Sequence, residues 1–169
     1  MSRLFFALWP DDLVRQQIAK VAAQLPSYGN KVKVANFHAT LAFLGEVSDD
    51  QRESFIKAAG QISSDPFDLQ LDSREWWKKS QLTCMGASDV PDQLIQFIDS
   101  LNKALEPCGY KPEKRPFKLH ITLMRKVEKP INHLQFKPIP WLVRGFSLME
   151  SENTSSGVKY KVIKTWDFV

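Results

Sequence analysis

The sequence is short of the residues from which several common kinds of protein are built. Only two cysteines occur among its 169 residues, Cys84 and Cys108. They form neither a CxxC pair nor a zinc-finger spacing, which excludes a disulfide-stapled or zinc-knuckle scaffold and fits a reducing compartment. Glycine occurs seven times, with no run that could wrap a triphosphate or open a dinucleotide-binding turn. No G-x-S-x-G elbow offers a serine nucleophile. Long apolar runs are also missing, and nothing approaches the roughly 20 residues that span a bilayer. Residues 4–9, Leu-Phe-Phe-Ala-Leu-Trp, are apolar, but they are too few for a secretory signal and a charged helix follows. These absences predict a cytoplasmic protein without a membrane segment. Histidine is scarce too, at His38, His120 and His133 only.

What is present is ordinary in bulk and unusual in pattern. Hydrophobic residues at 43% and charged residues at 25% suit a water-exposed globule. A net charge of +4 is compatible with an anionic ligand without requiring one. The length predicts one domain over residues 1–169, built as two fused lobes. In chain order, an apolar strand over 3–9 precedes a helix opened by Asp11 and Asp12. A short edge strand is expected at 31–34 and a longer strand over 37–44, ended by Gly45. Ser48 caps a second helix, 66–72 alternates as a strand, and 81–85 is another, while Trp76-Trp77 reads as either loop or strand start. A third helix starts near Asp92 and stops near Pro107. Three prolines make 130–140 irregular, and two last strands cover 141–150 and 158–166. Strands and helices mix without strict βαβ alternation, so the fold class is α+β, with antiparallel sheets backed by helices.

Two copies of one phrase carry the chemistry. Phe37-His38-Ala39-Thr40-Leu41 and Leu119-His120-Ile121-Thr122-Leu123 both read His-x-Thr-Leu within an apolar stretch. On a strand, residues i and i+2 share a face, so each His points the same way as its Thr. A lone His of this kind is most often a half-buried residue with a satisfied hydrogen bond. The repeat changes that balance, because chance must then place the same pair twice in similar strands. Two imidazoles around one centre can take and give protons near neutral pH, and threonine hydroxyls can bond phosphate oxygens. That equipment suits displacement at phosphorus with no metal and no cofactor. A catalytic zinc takes three protein ligands as a rule, and the only spare imidazole, His133, lies in a proline-rich stretch expected to be an exposed loop.

Three stretches together resemble the two-histidine (2H) phosphoesterase superfamily, in its bacterial RNA 2′,3′-cyclic phosphodiesterase (LigT-like) branch. They are Arg3-Leu4-Phe5-Phe6-Ala7, Asn36 to Val47, and Arg115 to Arg125. The resemblance implies a bilobal α+β fold, with two mainly antiparallel sheets facing a central cleft, helices outside, and one motif from each lobe. It implies metal-independent opening of a 2′,3′-cyclic phosphate on RNA to a 2′-phosphomonoester by a monomer. His38, Thr40, His120 and Thr122 match the catalytic motif, with His120 as base and His38 as acid. Phe43 and Arg125 match positions near the base and the phosphate. Leu119 departs from the proline common before the second His. A regular strand turns the residue five past each His away from it, so Arg125 reaches a phosphate only if the strand ends or bulges near Met124. Lys111, Lys114, Arg115 and Lys118 are candidates for holding RNA beside His120. The same site would serve a 2′,5′-oligonucleotide phosphodiesterase, a 2′–5′ RNA ligase, or an RNA-binding module without turnover.

Overall fold

The computed structural model describes residues 1–132 and 135–169. The expectation for His133 lies outside them. Strand β1 (Ser2–Leu8) is buried from Leu4 to Leu8, as befits a strand covered on both faces. Helix α1 (Asp12–Ala23) starts where the Asp11 carboxylate accepts the Val14 amide at 2.9 Å. The expected edge strand shrinks to two residues, β2 (Asn30–Lys31), followed by a single 3₁₀ turn over Val34–Asn36. Strand β3 (Ala39–Val47) then leads to helix α2 (Asp49–Ala59), which a Ser48/Gln51 capping box opens. Strands β4 (Phe67–Leu71), β5 (Ser73–Trp77) and β6 (Leu82–Gly86) follow, so Trp76-Trp77 belongs to a strand, held by pairing with β6. Helix α3 (Asp92–Leu105), β7 (Ile121–Arg125), β8 (Ile139–Val143), β9 (Gly145–Thr154) and β10 (Gly157–Asp167) complete the chain. Among the described residues, no helix is long and apolar enough to cross a membrane.

The strands form two antiparallel sheets, as the α+β reading requires. One has the order β10-β9-β1-β3-β7-β6-β5, with β2 added beside β7; the other is the pair β4-β8. The stretch 141–150, expected as one strand, divides between the two sheets. Ile139, Trp141 and Val143 turn inward and pair with β4, whereas Gly145 onward joins β10. Gly145 allows this crossing because a Cβ there would stand 2.3 Å from the Trp166 carbonyl oxygen. Leu4, Phe6 and Leu8 share one apolar core with Ile18 of α1, Phe55 of α2 and Leu94, Phe97 and Leu101 of α3. Phe5 and Ala7 point to the opposite face of β1, where they meet Met149, Trp9 and Tyr160.

The centre of the large sheet brings the two histidine phrases together. Strands β3 and β7 touch through one residue pair, Ala39 opposite Ile121. These residues follow His38 and His120 respectively, so equivalent positions of the two phrases are partners. An antiparallel pair of equivalents relates its two strands by a local twofold axis. On either side lies a matching neighbour: β1 pairs β3 with Leu8 opposite Ala39, and β6 pairs β7 with Met85 opposite Ile121. The sheet is thus two half-sheets that meet at a seam one residue pair long, beyond which β2 takes the place beside β7.

Candidate functional site at the seam

Each phrase is shaped by the same irregularity. In β3, Ala7 faces Thr40 and Phe6 faces Ala42, which leaves Leu41 unopposed. In β7, Cys84 faces Thr122 and Thr83 faces Met124, which leaves Leu123 unopposed. Both are β-bulges three residues past the histidine. A bulge places two consecutive residues over one partner and shifts the alternation after it by one. The burial order shows the shift: Ala39, Leu41 and Ala42 are buried and Phe43 exposed, as Ile121, Leu123 and Met124 are buried and Arg125 exposed. Arg125 therefore returns to the face of His120 and Thr122, which meets the condition set by strand alternation. Lys126, with φ of 56°, then turns the chain away.

The two imidazoles are held alike. The His38 Nδ1–H donates to the Asn36 carbonyl at 2.7 Å, and the His120 Nδ1–H donates to the Lys118 carbonyl at 2.9 Å. A carbonyl only accepts, so Nδ1 keeps its proton and Nε2 of each neutral ring is left as the acceptor. The Thr40 hydroxyl donates to His38 Nε2 at 3.1 Å. Thr122 differs, its hydroxyl lying 4.0 Å from the Cys84 sulfur.

The surroundings of the two rings diverge. Phe5 and Tyr160 lie at centroid distances of 5.0 Å from His38, and Trp9 stacks on it at 6.0 Å. Burial among these rings pushes the His38 pKa down to about 4; its Asn36 hydrogen bond opposes the shift, and the charges of Arg125, His120 and Arg15 add to it. Among the described residues, Trp77 is the aromatic ring that packs on His120, at a centroid distance of 4.6 Å. Its pKa is also lowered, by burial first, with Arg115 and Arg125 contributing. Burial raises the Cys84 thiol to about 11, which leaves it a packing group.

Sequence reading missed the groups that brace these rings. The Arg15 guanidinium is buried under Trp9, 4.6 Å from its ring centre, and donates to the carbonyls of Val34, Phe37 and Pro10 at 2.8, 2.9 and 3.1 Å. It pins the turn that delivers His38. The only sequence signal was a charge set between Val14 and Ile18 on the apolar face of α1. Around His120, Glu75 accepts from the Trp77 indole at 2.7 Å and from Lys118 at 2.6 Å.

Three adjoining hollows surround the seam. The first, about 400 Å³, is lined by Thr40, Phe43, Trp77, Tyr110, Phe117 and His120 among others. A second, about 450 Å³, opens at the other end and is lined by His38, Thr122, Arg125, Lys31, Lys33 and Tyr160 among others. A smaller one between them, about 260 Å³, is bounded by His38, Thr40, Phe43 and Arg125. All six residues singled out from the sequence thus border connected space. Of the four basic residues in the loop before His120, Arg115 and Lys118 line the first hollow, but each is already paired, with Glu113 at 2.8 Å and Glu75 at 2.6 Å. Among the described residues no cluster of His, Cys, Asp or Glu is suited to hold a metal ion.

Twinned His-x-Thr phrases at the seam of an antiparallel α+β sheet define a two-histidine phosphoesterase. The sequence profile of that class described as LigT like Phosphoesterase matches residues 8–81 and 85–160, and the chain belongs to this family. It is 33% identical to the RNA 2′,3′-cyclic phosphodiesterase of Escherichia coli (strain K12), over 98% of this chain and 96% of that one. It is 29% identical to the protein of that name from Thermotoga maritima, over 98% and 95%. The crystal structure of E. coli LigT complexed with 3′-AMP superposes with a TM-score of 0.91 at 32% identity, covering 99% of this chain and 98% of that one.

Proposed function

We propose that this protein is an RNA 2′,3′-cyclic phosphodiesterase that opens a terminal cyclic phosphate to a 2′-phosphomonoester. The observation that carries the reading is the twofold placement of two imidazoles, each with Nδ1–H committed to a backbone carbonyl, which leaves Nε2 as the proton-accepting nitrogen of each ring, held on His38 by the Thr40 hydroxyl. It acts as one two-lobed domain and as a monomer, since a single chain supplies both histidines, both threonines and Arg125.

In the reaction, a water oxygen bonds to phosphorus opposite O3′ while the phosphorus–O3′ bond breaks. The proton of the water passes to the Nε2 of one histidine, and O3′ takes a proton from the Nε2 of the other. Thr40, Thr122 and Arg125 bind the non-bridging oxygens, whose charge builds in the transition state. The family likeness assigns His120 as base and His38 as acid. The free site resists that assignment, because His38 is the ring held down to about 4. A bound phosphate anion beside Nε2 opposes this shift by favouring the imidazolium, so the acid forms in the complex.

The test is incubation of the purified protein with a 2′,3′-cyclic nucleotide and a matching oligonucleotide, with and without a chelator, and identification of the product isomer. The expected result is the 2′-phosphate in both conditions. Absence of turnover overturns the reading, as does loss in chelator restored by zinc or manganese.

A further inference from the structure

The local twofold axis makes the two large hollows counterparts, yet their chemistry is opposite. Thr40, Phe43, Lys118 and His120 line the first, and their equivalents Thr122, Arg125, Asn36 and His38 line the second. Where the first has Phe43, the second has Arg125. The first hollow is walled by Phe43, Trp77, Tyr110 and Phe117. It also borders Asn102 of α3, whose buried side-chain oxygen has no hydrogen-bond partner. The second hollow is lined by Lys31, Lys33 and Arg125, with no Asp or Glu on its wall. Lys33 donates to the Ser156 carbonyl at 2.7 Å, which leaves two ammonium protons for a ligand. No ion pair to any of the three cations is found among the described residues.

Resting on the phosphodiesterase reading, and on the base position that the family likeness gives Phe43 in the aromatic hollow, we propose that the cationic hollow takes the phosphodiester linking the terminal nucleotide to its predecessor, and so fixes the direction of the RNA strand. Unpaired bases are recognised by stacking on aromatic rings and by hydrogen bonds to their edges. Backbone phosphates are held by lysine and arginine. The Asn102 oxygen supplies an acceptor for a base amino group.

Ribose geometry joins the two assignments. Around the sugar the order is C1′ with the base, C2′ with O2′, C3′ with O3′, then C4′ bearing the 5′ side. The 5′-phosphate therefore lies on the O3′ side of the cyclic phosphate and the base on the O2′ side. Seating the 5′-phosphate against Lys31 and Lys33 turns O3′ toward His38, which lines the same hollow, and leaves the opposite approach to His120. The groove thus presents O3′ to the histidine that must protonate it. This orientation agrees with His38 as the acid.

The experiment compares three substrates: a 2′,3′-cyclic mononucleotide, the same compound with a 5′-phosphate, and a dinucleotide ending in the cyclic phosphate. The proteins are the wild type and the Lys31→Ala/Lys33→Ala variant. For the wild type, kcat/KM is expected to rise roughly tenfold or more on adding the 5′-phosphate or the preceding nucleotide, the scale of a charge-assisted hydrogen bond. The variant should lose that gain and its salt dependence while turning over the bare mononucleotide normally, which also reports that it is folded. Equal kcat/KM for all three substrates overturns the inference, as does equal loss on all three in the variant. Turnover of the bare mononucleotide without a 5′-phosphate effect sinks only the strand direction, whereas no turnover of any cyclic substrate sinks the phosphodiesterase reading itself.

Discussion

The two halves of the large sheet carry the same backbone device and different side chains. Both histidines donate Nδ1–H to the carbonyl two residues earlier, and both strands bulge three residues later. Beyond that skeleton the halves part. The first is braced from within, by a buried guanidinium on three carbonyls and by three aromatic rings around His38. The second is braced from outside, by a half-exposed triad of Glu75, Trp77 and Lys118. Shared backbone geometry places two equivalent nitrogens; unequal packing gives them unequal proton affinities. A reaction that needs one acid and one base has use for that inequality.

The largest expected effect comes from removing either imidazole. His38→Ala and His120→Ala should each lower kcat/KM roughly a hundredfold or more, the scale for a positioned proton-transfer group. The double variant should lose less than the product of the single losses, because both act in one step. A cyclic ester with a good leaving group at O3′ should rescue His38→Ala and not His120→Ala. The opposite rescue exchanges the roles of the two halves.

Arg15→Ala strikes only the first half. Three carbonyls lose their donor, and a stability loss of about 2–4 kcal/mol is expected from urea titration. The kcat should fall while KM for a mononucleotide holds, with partial recovery in Arg15→Lys. A fall in stability with kcat unchanged would make Arg15 a folding residue without influence on His38.

The difference in proton affinity has two readouts. Because the folded pKa of His38 lies near 4 against an ordinary 6.5, the unfolded chain takes up its proton first as pH falls. The contribution of His38 to stability is therefore complete above about 6.5 and is lost as pH drops toward 4, amounting to roughly 3 kcal/mol at most. His38→Gln should flatten that stretch of the stability–pH curve. Both histidines being lowered, the bell in kcat/KM should centre below 6.5. Inorganic phosphate should raise the His38 titration seen by NMR; a midpoint near 6.5 in the free protein would refute its desolvated setting.

Smaller effects distinguish the counterpart residues five past each histidine. Arg125→Ala should cost about tenfold in kcat/KM, the scale of one charge-assisted contact, and Phe43→Ala only a few-fold. The smallest effect is expected from Glu75→Gln, since exposed ion pairs contribute about 0–1 kcal/mol. A large loss there would mean that the outer brace of His120 matters as much as the inner brace of His38.

The sequence by itself determined the repeated His-x-Thr phrase, the helices with their capping residues, the α+β class and the kind of chemistry. These are local patterns, and strand alternation and helix periodicity express them without reference to distant residues. The bulges at Leu41 and Leu123 were not legible, because a bulge is defined by the partner strand and an isolated strand carries no record of its partner's spacing. That is why the facing of Arg125 and Phe43 needed the ladder with β6 and β1. The role of Arg15 was equally hidden, since its three carbonyl partners come together only when α1 packs under the turn before His38. Tertiary structure alone decided that Ala39 and Ile121 are opposed, which sets two copies of one phrase about a shared axis, and that unlike walls then close over the two ends of the seam.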